Sequence, residues 1–129
     1  MHRDRTLLMF MLAYGVASLA HFVHNAVYID AYPNLPMWIT PLVVHASWLV
    51  VAGIGTLGYW LYRSASRAFG LMVIGVYALL GFGGLDHYAV APVSAHSIAM
   101  NATILGEAIT ASVLLVVVVW TGVTRAGTR

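Results

Sequence analysis

The chain contains no cysteine and no lysine. Without thiols there is no disulfide, no thiolate metal ligand, no iron–sulfur cluster and no cysteine nucleophile. Charge of either sign is scarce. Arginines and acidic residues together make up 8% of 129 residues, against the ~25% usual in a soluble domain. So few charges cannot cover a water-soluble fold of this size. The net charge of +2 is also too small to point to nucleic acid as a partner. Apolar residues, by contrast, make up 61% of the chain, which excludes disorder. The class that remains is an integral membrane protein whose first partner is the lipid bilayer.

Four apolar stretches define the organisation, at about 6–29, 38–62, 68–89 and 96–121. Each is long enough to cross a hydrocarbon core of about 30 Å with some tilt. The connections are short and carry breakers or charge: Asp30 to Met37 has two prolines, Arg63 to Arg67 is basic, and Val90 to Ala95 contains Pro92. Short connections make consecutive spans antiparallel neighbours. The expected fold is therefore all-α, a single membrane domain over 1–129 built as a four-transmembrane-helix, up-down-up-down antiparallel bundle.

The arginines orient it. Arg3 and Arg5 precede span one, Arg63 and Arg67 join spans two and three, and Arg125 and Arg129 follow span four. All six fall on one side, which the positive-inside rule makes cytoplasmic. The expected location is the inner (cytoplasmic) membrane, with both termini cytoplasmic. Asp30 and Asp86 lie on the opposite side. Tyr28, Tyr32, Trp38 and Tyr88 mark the outer boundary, and Tyr59, Trp60, Tyr62 and Trp120 the inner one. Val16 to Ala20 resembles a signal-peptide cleavage site, but apolar character running on through Ile29 favours a retained span.

Two motifs carry no chemistry. Gly53-Ile-Gly-Thr-Leu-Gly58 fits the dinucleotide fingerprint but lies inside span two, with no strand before it; it reads as close helix packing. Asn101-Ala-Thr103 is a glycosylation sequon buried in a span.

The histidines carry more. His21, His24, His45, His87 and His96 all fall in the outer half, and every span or its edge contributes. At ~1.5 Å per residue, His21 and His45 lie about 10 Å below their aromatic markers. On span four, His96, Met100, Thr103, Glu107 and Thr110 recur at helical spacing as one polar stripe. Lipid cannot solvate such a stripe, so it should face the bundle interior. Glu107 sits near mid-membrane, where an ionised carboxylate costs at least ~2.5 kcal/mol. It needs a proton, a histidine or a metal ion as partner, because no arginine lies at that depth. An offset of 60 residues relates span one to span three and sets Gly81 and Gly84 opposite His21 and His24. Absent side chains there leave room for the rings, or a slot for a flat cofactor.

Three functions follow from this pattern. In the first, His21, His24, His45, His87 and His96 hold a transition metal (copper, zinc or iron), or two of them hold haem b beside Gly81 and Gly84, for redox, metal handling or support of a membrane redox complex. In the second, Glu107 and a histidine form a metal-free acid–base site, serving a proton-coupled transporter or an isomerase or hydrolase of a lipid-like substrate. In the third, the glycines and histidines are helix–helix contacts of an assembly subunit, in a homo-oligomer or a larger membrane complex.

Overall fold

A computed structural model describes residues 2–126, and its regular structure is entirely helical. The long helices are α1 (His2–Val27), α2 (Pro41–Ser64), α3 (Arg67–Leu80) and α5 (Ile98–Ala126), with a single turn, α4 (His87–Val90), after α3. Four spans are long and apolar enough to cross a membrane: Asp4–Val27, Pro41–Ser64, Arg67–Val90 and Ile98–Thr124. Neighbours in sequence pack side by side, and α5 closes the bundle against α1 and α3. At one end the Tyr62 hydroxyl, late in α2, donates to Asp4 Oδ1, early in α1, at 2.5 Å. That end, which also carries Arg63 and Arg67, is the arginine end; the other is the distal end.

Local chemistry sets the helix limits. Pro41 stands at the start of α2, and the Thr40 hydroxyl accepts from the Val43 N–H. Ser66 caps α3 in the same way through the Phe69 N–H. Both side chains satisfy an amide that the helix leaves unpaired. The α2–α3 turn is tight enough that a Cβ on Gly70 would collide with the Tyr62 backbone.

α1 and α5 carry the core in matching registers. On α1 the buried seam runs through Leu7, Met11, Tyr14, Ser18, His21 and Asn25, with Ala26 beside it; on α5 it runs through Met100, Ile104, Glu107, Ala111, Leu114, Val118 and Thr121, with Ala108 beside it. Steps alternate between four and three, the pattern of knobs-into-holes packing. The seam is apolar toward the arginine end, where Leu7, Met11, Tyr14, Leu71, Ile74, Tyr77, Ala78, Ala111, Leu114 and Val118 form one cluster with Tyr62. It turns polar from Ser18 and Glu107 to the distal end.

Span three departs from the expected continuous helix over 68–89. α3 stops at Leu80, Gly83–Asp86 forms a 3₁₀ turn, and α4 follows. The amides of Gly81, Phe82 and Leu85 bond three residues back, to Ala78, Leu79 and Phe82. Three glycines in four positions remove the propensity that would hold a regular helix, and the tighter turn leads into a buried His87. Span four also begins later than expected: His96 lies before α5, in extended backbone after a 3₁₀ turn at Val93–Ala95.

Candidate acid–base site

The polar stripe read from the sequence faces inward. His96 and Met100 are buried, Glu107 is 1% exposed, and Thr103 and Thr110 are half-buried. Across the seam, one α-helical register places His21 of α1 opposite Glu107. His21 Nδ1 and Glu107 Oε2 are hydrogen bonded to one another within the buried seam. A carboxylate on Nδ1 fixes the imidazole tautomer and orientation, so that Nε2 is the nitrogen available for proton exchange. Gly84 makes the pairing possible. A Cβ there would stand 2.7 Å from His21 Cε1 and 3.1 Å from Glu107 Oε2.

Two more imidazoles continue from this pair. The rings of His21 and His87 are 5.5 Å apart, and those of His87 and His96 are 6.0 Å apart. Each is tied at one nitrogen. The Asn25 amide donates to His87 Nε2 at 3.0 Å, and His96 Nδ1 donates to the Pro92 carbonyl at 3.0 Å. The remaining nitrogens, His21 Nε2, His87 Nδ1 and His96 Nε2, are buried without a hydrogen-bond partner among the described residues, as is Asn25 Oδ1. Tyr32 lies over the row, 4.8 Å from the His87 ring and 6.4 Å from the His96 ring. Burial pushes its phenol above the ordinary tyrosine range, so it stays neutral there.

The five expected histidines therefore divide. His21, His87 and His96 come together. His24 is half-buried and turns to Tyr32, with its Nδ1 2.9 Å from the hydroxyl, at the rim of the cluster. His45 does not join them: it is exposed on α2, while its neighbour Val44 is the buried residue. One helical step of ~100° turned it away, which depth alone could not reveal. Asp86 is also exposed.

Gly81 and Gly84 do not leave a slot for a flat cofactor. A Cβ on Gly81 would lie 2.6 Å from both Ala111 Cβ and Tyr14 Cε2, so protein side chains fill both positions. The residues present do not fit haem. Among the described residues no three histidine, aspartate or glutamate side chains are grouped so as to hold a metal ion.

A cavity of about 450 Å³ lies beside the pair, between α1, α2, the end of span three and the Leu35–Ile39 connection. His21, Asn25, Asp86, His87 and Ser47 contribute polar groups to its wall. The rest is apolar, including Phe22, Trp38, Ile39, Val43, Val44 and Leu80. Its size is that of a small-molecule site, and an apolar wall with few convergent polar groups is the usual form of one.

Sequence reasoning found Glu107 and its need for a partner and sets Asn25 on one face of span one beside His21 and His24, but it reads Tyr32 only as a boundary aromatic. The signal for Asn25 was its register: it shares the buried face of α1 with His21. The chain matches no protein family, no curated protein and no solved structure.

Proposed function

We propose that this chain is a four-span integral membrane protein with a metal-free, intramembrane acid–base site that moves protons on a lipid-like substrate. The distal end faces the outside of the inner (cytoplasmic) membrane and the arginine end faces the cytoplasm, a placement that the arginine distribution supports. The observation that carries the reading is the buried His21–Glu107 pair, whose imidazole lines a mostly apolar cavity. A carboxylate-oriented imidazole is a general base and, once protonated, a general acid. In a site that excludes water, the attraction between ring and carboxylate is strengthened. Ser47 is on the cavity wall, but no serine hydroxyl is hydrogen bonded to His21 among the described residues, so the geometry favours a proton shift within the substrate, an isomerisation, over acyl transfer.

The test is proton exchange into carbon. Purified protein in lipid nanodiscs is incubated in D₂O with a total lipid extract of its host membranes. Mass spectrometry then seeks species that gain deuterium at carbon positions. The wild-type chain is expected to label at least one lipid class, and Glu107→Gln is expected to reduce the rate by at least ~10²-fold, the scale of a lost general base, with folding intact. No labelling, or equal labelling by both proteins, would overturn the proposal.

A further inference from the structure

We propose that His87 and His96 form a proton relay that connects the His21–Glu107 pair to the distal end alone, with Asn25 selecting the tautomer of its middle member. The inference rests on the preceding section only in taking His21 and Glu107 as the acid–base pair.

Glu107 is 1% exposed and one turn from the apolar cluster in the arginine half of the bundle. From Tyr14 to Leu7 along α1 that packing is about 10 Å deep. Buried carboxylates without water access need a side-chain route for protons. In the distal direction one is present. His21, His87 and His96 are 3%, 8% and 6% exposed, and each keeps one nitrogen without a partner among the described residues. Unpaired buried nitrogens carry a desolvation cost, and packing alone gives no reason to retain three in a row. The row ends directly beneath the exposed residues Pro92 to Ala95, with exposed Asp86 beside His87 to attract protons.

The hydrogen bonds set the order of transfer. His96 holds its hydrogen on Nδ1, bonded to the Pro92 carbonyl, so an incoming proton binds Nε2. His87 receives a donor from Asn25 at Nε2, which puts its own hydrogen on Nδ1. The proton leaves His96 Nε2 and joins His87 Nε2 as the Asn25 amide turns. Asn25 Oδ1, which has no other partner among the described residues, then accepts the new N–H. His87 releases its Nδ1 proton to His21 Nε2. Each step breaks one N–H bond and forms one; His96 and His87 end neutral, and His21 becomes an imidazolium facing Glu107. A proton passing in the reverse direction, taken up at His87 Nδ1 and released from Nε2, restores the resting tautomer and lets the Asn25 amide return.

The groups facing Glu107 are limited. His21 and Tyr14 approach from α1, and Tyr77 from α3. Tyr14 is packed within the apolar cluster, and Tyr77 also lines a cavity of about 370 Å³ between α1 and α2, whose wall carries no histidine or acid to take a proton onward.

Sealed liposomes with the chain in one orientation test the relay without any substrate. A pH jump is applied on either side, and the infrared bands of the His21–Glu107 pair are followed; the bands are assigned by their loss in Glu107→Gln. The response is expected within the mixing time from the distal side and at least 10-fold slower from the arginine side. His96→Gln, which keeps a polar side chain without a ring, and Asn25→Leu are both expected to slow the distal response at least 10-fold while leaving the bands in place. His45→Phe is the outward-facing control and should change nothing. Should Asn25→Leu fail to fold, Asn25→Thr, which cannot turn an amide, replaces it. An equally fast response from the arginine side, or an unslowed response in His96→Gln, would overturn the relay. Either result would leave lipid labelling by the wild-type protein intact, so the two proposals fail separately.

Discussion

Single residues around Glu107 show what the site tolerates. Gly84 is the sharpest case, because its missing Cβ is the space the His21 ring occupies. Gly84→Ala is expected to cost about 1–3 kcal/mol by overpacking and to displace His21 from Glu107. Gly83, one residue earlier, has nothing within 4 Å of a Cβ position, so Gly83→Ala is expected to melt near wild type. Thermal unfolding in one detergent, with infrared bands for the pair, checks both. Glu107 was legible as a problem in the sequence: a lone acid at mid-span must find a proton, a ring or an ion. That it found His21 was open to inference from depth, since both lie about the same distance from the distal boundary. His45 satisfied the same depth argument and failed, because burial depends on azimuth, and its helix shows lipid-compatible residues on most of its surface. Depth without a reliable inner face selects candidates but does not assemble them.

Helices explain why some glycines matter and others do not. The Gly53-x-Gly55-x-x-Gly58 run on α2 was readable as helix packing, and two of its three members serve that purpose. Gly55 meets the Tyr77 ring and Gly58 meets Ile74, while Gly53 faces open space. A stronger contact was not readable. Gly70 on α3 lies against the Tyr62 backbone, where no side chain can yield. Gly70→Ala is expected to be the most damaging single-methyl change in the chain, about 3 kcal/mol or more, whereas Gly53→Ala should be neutral within about 0.5 kcal/mol. Reversible unfolding in mixed micelles measures the difference; equal effects would mean that the α2–α3 turn is looser than described. The span count, the antiparallel order and the inward polar stripe were all present in hydropathy and period. The break in span three was not, although Gly81, Gly83 and Gly84 marked it. Glycines are common in membrane helices, so composition alone cannot tell a kink from close packing. Only the three-residue hydrogen bonds after Ala78 decide it, and they bring His87 toward His21.

Across the whole molecule the two ends have different work. The arginine half is an apolar cluster stapled by Asp4 and Tyr62. The exposed Arg63–Asp4 pair at 3.8 Å adds less than about 1 kcal/mol to it. The distal half holds the imidazoles, the carboxylate and the cavity. The imidazoles and the carboxylate thus lie toward one end, the face with which the proposed relay exchanges protons. The cavity and the imidazole row share His21 and His87 but otherwise separate: Val43 and Val44 of α2 line the cavity, while His96 does not. Val43→Trp places a large side chain in the cavity without altering any member of the row. It is expected to abolish deuterium labelling of lipid while the infrared response to a distal pH jump keeps its wild-type rate. His96→Gln is expected to do the reverse at saturating substrate, slowing the pH response while sparing labelling, because an isomerisation returns the proton it takes and consumes none. If both variants lost both signals, cavity and relay would be one structural unit, and the division of labour drawn between α2 and the imidazole row would be wrong.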